Sequence, residues 1–340
     1  MLIIVAGIAV LLLLWFGLRA RGKEFEWEVF QATFLHLHWG WFSTGIFLVL
    51  LTYFGRAIRW QVMLRPVKPH SNFWNLLIAT TIGFTAVVLF GRAGELVRPY
   101  LIASKEKVSF SSQLAAWFLE RIYDLLSVLL LFGFALAQIT TSSTKLTGPL
   151  ETVLQLGGHT AGVLATICLA LLVTFGLFPT FVENRLMGIL QVIPERFRER
   201  IQGLVRGFLS GTGSTRRAGV VFLLVLYTFC EWLIIVGCFL CIFKAIPVTQ
   251  NLGLLDTLIV VGFVAFGSAV QIPGIGGGMQ VATVLVLTEL FHIPLESASG
   301  IAILIWVVTF VSVVPIGLAL AVRDGLEWRK LVNVKEMKTL

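Results

Sequence analysis

The chain has 340 residues, of which 57% are hydrophobic and only 13% charged, with a mean hydropathy of +0.92. Soluble domains average about 45–50% apolar and about 25% charged residues, so this chain has too little charge to coat a water-facing surface, and a soluble enzyme is excluded. In so apolar a chain the net charge of +8 fits basic cytoplasmic loops beside anionic lipid headgroups better than it fits nucleic acid.

A helix needs about 20 apolar residues to cross a bilayer. Long apolar runs, charge-free except for Glu120, Arg121, Asp124 and Glu231, predict spans at 1–18, 39–55, 112–138, 161–182, 218–243 and 298–322. The first lacks a positive leader and a small-residue cleavage site, so it reads as a retained helix rather than a signal peptide. Two further apolar runs are interrupted. The run 69–91 passes into GRAGELVRPY at 91–100, and the run 257–288 contains PGIGGGMQ at 273–280. Glycine and proline at that density end a helix, so each run is expected to be a hairpin of two shorter helices, re-entrant or broken at its tip.

The distribution of Lys and Arg orients this layout. With both termini cytoplasmic, the inner segments 56–68, 105–107, 183–217 and 323–340 carry 4, 2, 7 and 5 basic residues, 18 in all. The outer segments 19–38, 140–160, 244–253 and 292–297 carry 3, 1, 1 and 0. That bias follows the positive-inside rule. It leaves Arg92, Arg98 and Arg121 in or beside the membrane. The expected fold is an all-α polytopic membrane protein, a single membrane domain over 1–340. Its order is span, span, hairpin, span, repeated with opposite orientation as residues 1–138 and 161–322, with a cytoplasmic tail at 323–340. The echo of GFTA at 83–86 in GFVA at 262–265 agrees with such an inverted repeat. Inverted repeats with broken helices are a recurring transporter design, because irregular backbone at membrane depth is tolerated only where it lines a protected cavity.

Charges in a bilayer need a reason, since each costs at least about 2.5–3.5 kcal/mol on insertion scales. Arg92, Glu95 and Arg98 are spaced i,i+3, so on one helix they share a face with one positive charge in excess. That face suits a phosphate through the guanidinium fork, or else an interfacial salt bridge. Glu120 and Asp124 are one turn apart, with Arg121 placed to pair with Asp124. This cluster reads either as a proton-holding site or as a brace between helices. Arg56, Arg59, Arg65 and Trp60 form a basic, aromatic stripe expected to anchor at the headgroup layer, with substrate recruitment as the alternative. Glu231 lies in mid-span and is a site candidate that is protonated or paired with a basic group of the first half. In the second break, Pro273, Gly274, Gly276, Gly277 and Gln280 leave backbone amides for an anion to use as a nest, or else serve close packing. The basic, amphipathic segment 195–206 suits the inner membrane surface.

Other chemistry has little support. The three aspartates, Asp124, Asp256 and Asp324, form no close pair. His36 and His38 have no third ligand nearby, and Cys238 and Cys241 have no second pair. Cys168, Cys230, Cys238 and Cys241 all fall in apolar runs and read as core residues. No HExxH or GxSxG occurs. No metal or cofactor is expected.

GRAGELVR at 91–98, ERIYD at 120–124 and PGIGGG at 273–278, in that order, resemble the signature of the flippase-like integral membrane family that includes the transmembrane region of lysylphosphatidylglycerol synthase. The resemblance covers residues 60–322. It implies movement of a polar lipid from the inner to the outer leaflet, with the glycine-rich hairpins around its path. The chain departs from the family in carrying Gln280 where an acidic residue is frequent, and it stops at Leu340, which leaves no room for the soluble transferase domain of some relatives. The expectation is a lipid flippase in the inner membrane of a prokaryote, not an enzyme, with membrane lipids as partners. In it, Arg92, Arg98 and Arg121 hold an anionic headgroup while Glu95, Glu120, Asp124 and Glu231 balance charge. The alternatives are a membrane transferase using Glu120 or Glu231 as base, and a non-catalytic partner that docks a lipid synthase through 183–217.

Overall fold

A computed structural model describes residues 25–141, 149–190, 195–213, 218–274 and 276–325. The predicted first span and most of the predicted tail lie outside them. The described chain is almost wholly helical. Its elements are α1 (Trp27–Leu35), α2 (Trp39–Leu64), α3 (Phe73–Phe90), a 3₁₀ turn (Gly91–Leu96), α4 (Val97–Glu106), α5 (Phe110–Thr141), α6 (Pro149–Leu177) and α7 (Pro179–Leu190). They continue with α8 (Glu195–Gly211), α9 (Ala218–Ala245), α10 (Leu254–Gly267), the paired dipeptides β1 (Gln271–Ile272) and β2 (Gly276–Gly277), α11 (Gly278–Glu289), α12 (Leu295–Thr309) and α13 (Val314–Arg323). Four stretches among these residues are long and apolar enough to cross a membrane: Trp39–Leu64, Phe73–Glu106, Gly219–Ala245 and Leu295–Arg323.

The antiparallel pair α2 and α9 forms the frame. Gly45 faces Cys238 and Cys241, Gly237 faces Leu48, and the His38 N–H donates to the Ala245 carbonyl at 2.8 Å. Trp39 and Ala245 therefore mark one end of the bundle, and Leu64 and Ala218 the other. The span expected at 39–55 runs on to Leu64 and carries Arg56 and Arg59 inside the bundle. Charge alone does not stop a helix when partners neutralise it, and carboxylates on α5 and α9 do so here.

The stretch Phe73–Glu106 has the length of a span, yet it doubles back. Asn72 caps α3 by accepting from the Trp74 N–H at 2.9 Å. At the far end of the stretch, Glu106 accepts from the Asn75 side chain at 2.8 Å and pairs with Lys68 at 2.7 Å, so both ends meet just beyond Leu64. Two glycines permit the arms to lie this close: a β-carbon on Gly83 would meet Arg98 at 2.5 Å, and one on Gly94 would meet the Ala86 carbonyl at 2.2 Å. Between them Gly91 turns the chain at φ +63°, a conformation favoured by glycine.

Helices α10 and α11 are the other pair of arms. They start beside Ala245, where Thr249 bonds back to the Phe243 carbonyl at 2.9 Å and the Asp256 carboxylate caps α10 by accepting from the Gly253 N–H at 2.8 Å. Gly267 and Gly278 bring the arms together near the tip, where β1 and β2 pair in antiparallel register. The bases of the two arm pairs thus lie at opposite ends of the frame, and their tips touch. The Gly274 N–H donates to the Val88 carbonyl at 2.9 Å, and Pro273 packs on Gly91.

The remaining helices enclose these arms. Gly300 of α12 packs on Thr33 of α1, Gly317 of α13 packs on Thr85 of α3, and Lys105 pairs with Asp324 at 2.5 Å. The echoed glycines have different tasks: Gly83 admits Arg98 from its own arm pair, whereas Gly262 admits the Phe132 ring of α5. The span expected at 161–182 is not straight, since α6 and α7 meet at 94°. Pro179 has no N–H for the preceding turn and disfavours helix at the residue before it. Helix α8 lies beside the start of α5, with Gly207 against Ser111 and Phe208 against Phe118.

Candidate functional site

Two apolar clusters fill the bundle, and an ionic layer separates them. Along α9, Leu224 belongs to one cluster and Val236 to the other, with Thr228 and Glu231 between. Along α5, Asp124 falls between Tyr123 and Val128 in the same way. Glu231 is near the midpoint of α9, about 20 Å from either end at 1.5 Å per residue.

Arg59 is the centre of the layer, with 1% of its side chain exposed. It pairs with Glu120, with Asp124 at 2.6 Å and with Glu231 at 3.3 Å, and donates to the Thr228 hydroxyl at 3.1 Å. Arg56 pairs with Glu231 at 2.8 Å. Arg98 donates to both oxygens of Glu120, at 3.0 and 2.9 Å, while its guanidinium lies 4.0 Å over the Trp60 ring. Trp60 is fixed in turn by an indole N–H donated to Gln113 at 2.9 Å. Arg121 pairs with Asp124 at 3.3 Å. The layer therefore joins helices α2, α4, α5 and α9 through four arginines and three carboxylates, one positive charge in excess. Charges this deep are tolerated because each has an opposite partner.

Several sequence expectations change here. Arg59 and Trp60 do not reach a headgroup layer as anchors, for both are buried by partners far away in the chain, and Arg56 faces the interior cavity. Arg98 does not share its face with Arg92 and Glu95. The turn that carries those two is 3₁₀, where i and i+3 eclipse, and there they pair with each other while Arg98 turns inward to Glu120. The expected partner of Glu231 from the first half exists, as Arg56 and Arg59. Three of the amides expected to be open at 273–280 are taken: Gly274 bonds Val88, Gly277 bonds the Gln280 side chain at 2.6 Å, and Gly278 bonds Val270 at 2.9 Å. Gln280 thus shapes the tip, and Pro273, Gly274, Gly276 and Gly277 build it.

A cavity of about 430 Å³ opens between the ionic layer and the two tips, within the range of about 300–1,000 Å³ usual for small-molecule sites. Arg56, Arg92, Glu95, Arg98, Arg121 and Asp124 form its polar wall. Val49, Phe84, Trp117, Trp232, Phe239 and Phe266 are among the apolar residues that line it, and the Arg56 guanidinium lies 4.5 Å over the Phe84 ring. Two guanidinium groups stand out by access: Arg92 is 45% and Arg121 39% exposed. Arg92 also crosses to the other tip, where it donates to the Ser268 carbonyl at 2.6 Å and the Ala269 carbonyl at 3.3 Å beyond the end of α10. The sequence reading missed Phe84, Trp117, Thr228 and Trp232. Trp117 had a signal, because 117, 121, 124 and 128 follow helical spacing on one face of α5. Among the described residues, no cluster of His, Cys, Asp and Glu is suited to hold a metal.

This architecture, with apolar spanning helices around a charged interior cavity, is that of an integral membrane protein. Residues 2–317 match the family model for the lysylphosphatidylglycerol synthase TM region, so the chain belongs to that family of membrane domains associated with lipid handling. The match begins well before residue 60, where the motif resemblance started. No curated protein and no solved structure matches the chain.

Proposed function

We propose that the protein is a flippase, moving an anionic lipid between the leaflets of a membrane. The observation that carries this reading is the mixed lining of the cavity, charged and apolar. Its arginines suit a phosphate, and the aromatic and aliphatic side chains beside them suit the start of an acyl chain. At about 430 Å³ the space takes a headgroup while the chains stay in the bilayer. The arm pairs α3–α4 and α10–α11 are taken as re-entrant hairpins of an inverted repeat, entering from opposite leaflets with their tips at the midplane. The positive-inside count then makes the Leu64 end cytoplasmic, with both termini on that side of a prokaryotic inner membrane. A transferase reading has less support, because Glu120 and Glu231 are held by arginines rather than poised as bases.

Purified protein in liposomes should speed leaflet exchange of a labelled anionic phospholipid. The variants to test are Arg92→Gln and Arg121→Gln, the accessible guanidinium groups; Arg98→Ala is less informative, because it leaves Glu120 short of a partner. A hydrogen bond to a charged group contributes about 1.5–3 kcal/mol, so each variant should slow exchange about tenfold or more. Exchange by the wild type no faster than in protein-free liposomes would remove the flippase reading.

A further inference from the structure

We infer that the cavity takes a headgroup with a single negative charge, a phosphodiester rather than a phosphomonoester. The inference rests on the lipid reading of the same cavity. Two independent features lead to it.

The first is charge balance. The layer of Arg56, Arg59, Arg98 and Arg121 against Glu120, Asp124 and Glu231 has one positive charge in excess. The tip pair Arg92–Glu95 adds one charge of each sign and leaves the excess unchanged. An uncompensated charge away from water is costly. A monoanion brings the site to neutrality; a dianion overshoots by one, and a zwitterion leaves the excess in place.

The second is donor geometry. All five arginines pair with carboxylates, but Arg56, Arg59 and Arg98 are less than a sixth exposed, whereas Arg92 and Arg121 keep side-chain surface open on the cavity. A phosphodiester has two non-ester oxygens, one for each accessible guanidinium. A phosphomonoester has three, and the third would be left facing Glu95 or Asp124, the carboxylates on the same wall.

The test is a binding measurement in phosphatidylcholine nanodiscs, with phosphatidylglycerol or phosphatidic acid added as competing probes. It is run near pH 8, above the second phosphate pKa of about 6. The wild type should bind phosphatidylglycerol about tenfold more tightly than phosphatidic acid. Glu95→Gln raises the excess to two charges and should reverse that order. Asp124→Asn makes the same change on another part of the wall, should one variant fail to fold. Arg121→Gln removes the excess and should abolish the preference for phosphatidylglycerol over the surrounding phosphatidylcholine. Equal or tighter binding of phosphatidic acid by the wild type, an unchanged order in both charge-raising variants, or binding of neither probe would overturn the inference. Lipid exchange is scored separately. The predicted order without exchange would remove the flippase reading alone, and exchange with the opposite order would remove the charge assignment alone.

Discussion

Replacing Glu120 with alanine should cost about 3–5 kcal/mol of stability, the loss expected when one partner of a buried ion network is deleted. Glu120 is fully buried and neutralises both Arg59 and Arg98. Without it, Arg98 keeps the Trp60 and Phe84 rings and a long bond to the Arg56 carbonyl at 3.4 Å, with no carboxylate. Folded proteins have margins of about 5–15 kcal/mol, so the loss should appear as a sharply lower melting temperature in detergent and a poor yield of monodisperse protein. Replacing both charges by apolar groups should recover much of it, since a buried pair exchanged for packed hydrophobic side chains is often neutral. Glu120→Leu with Arg98→Met is the appropriate double variant. A wild-type melting temperature for Glu120→Ala would show that the layer does not hold the bundle together.

Gly94→Val should have the second large effect, on a different part of the molecule. A β-carbon at position 94 would lie 2.2 Å from the Ala86 carbonyl oxygen and 2.5 Å from the Val87 nitrogen, both backbone atoms that have no side-chain freedom to yield. Overpacking usually costs about 1–3 kcal/mol, and a clash against backbone belongs at or above the top of that range. The arms α3 and α4 must separate, which pulls Val88 away from Gly274. Hydrogen exchange at the Gly274 amide reads this directly and should rise well above wild type. Gly55→Ala is the control, because nothing lies within 4 Å of that site and alanine favours helix by about 1 kcal/mol. Equal protection of Gly274 in wild type and Gly94→Val would mean that the arms do not meet as described.

The sequence disclosed the elements that depend on local chain chemistry. The apolar lengths found α9 and the α12–α13 stretch, and the glycine and proline clusters found both broken tips. Sorting the basic residues isolated Arg92, Arg98 and Arg121, and all three line the cavity. What stayed hidden depends on partners distant in the chain. Arg56 and Arg59 look like loop residues until Glu120, Asp124 and Glu231 are placed beside them. The i,i+3 spacing put Arg98 with Glu95, but that reading assumes one continuous α-helix, and the 3₁₀ turn ending at Leu96 breaks the assumption. The amides at 274, 277 and 278 look open because periodicity does not reveal that the other tip, a side-chain cap and the Val270 carbonyl just before β1 consume them.

The contact of Pro273 with Gly91 binds two distant stretches of the chain to a common evolutionary fate. The ring comes within 3.1 Å of where a β-carbon at 91 would stand, so neither position drifts freely. Enlarging one requires that the other shrink or its loop withdraw, and the permitted pairs are fewer than the permitted residues at either place. Lineages of this fold should therefore carry a shared memory between loops that no local motif records, and correlated change at these two positions is its expected form.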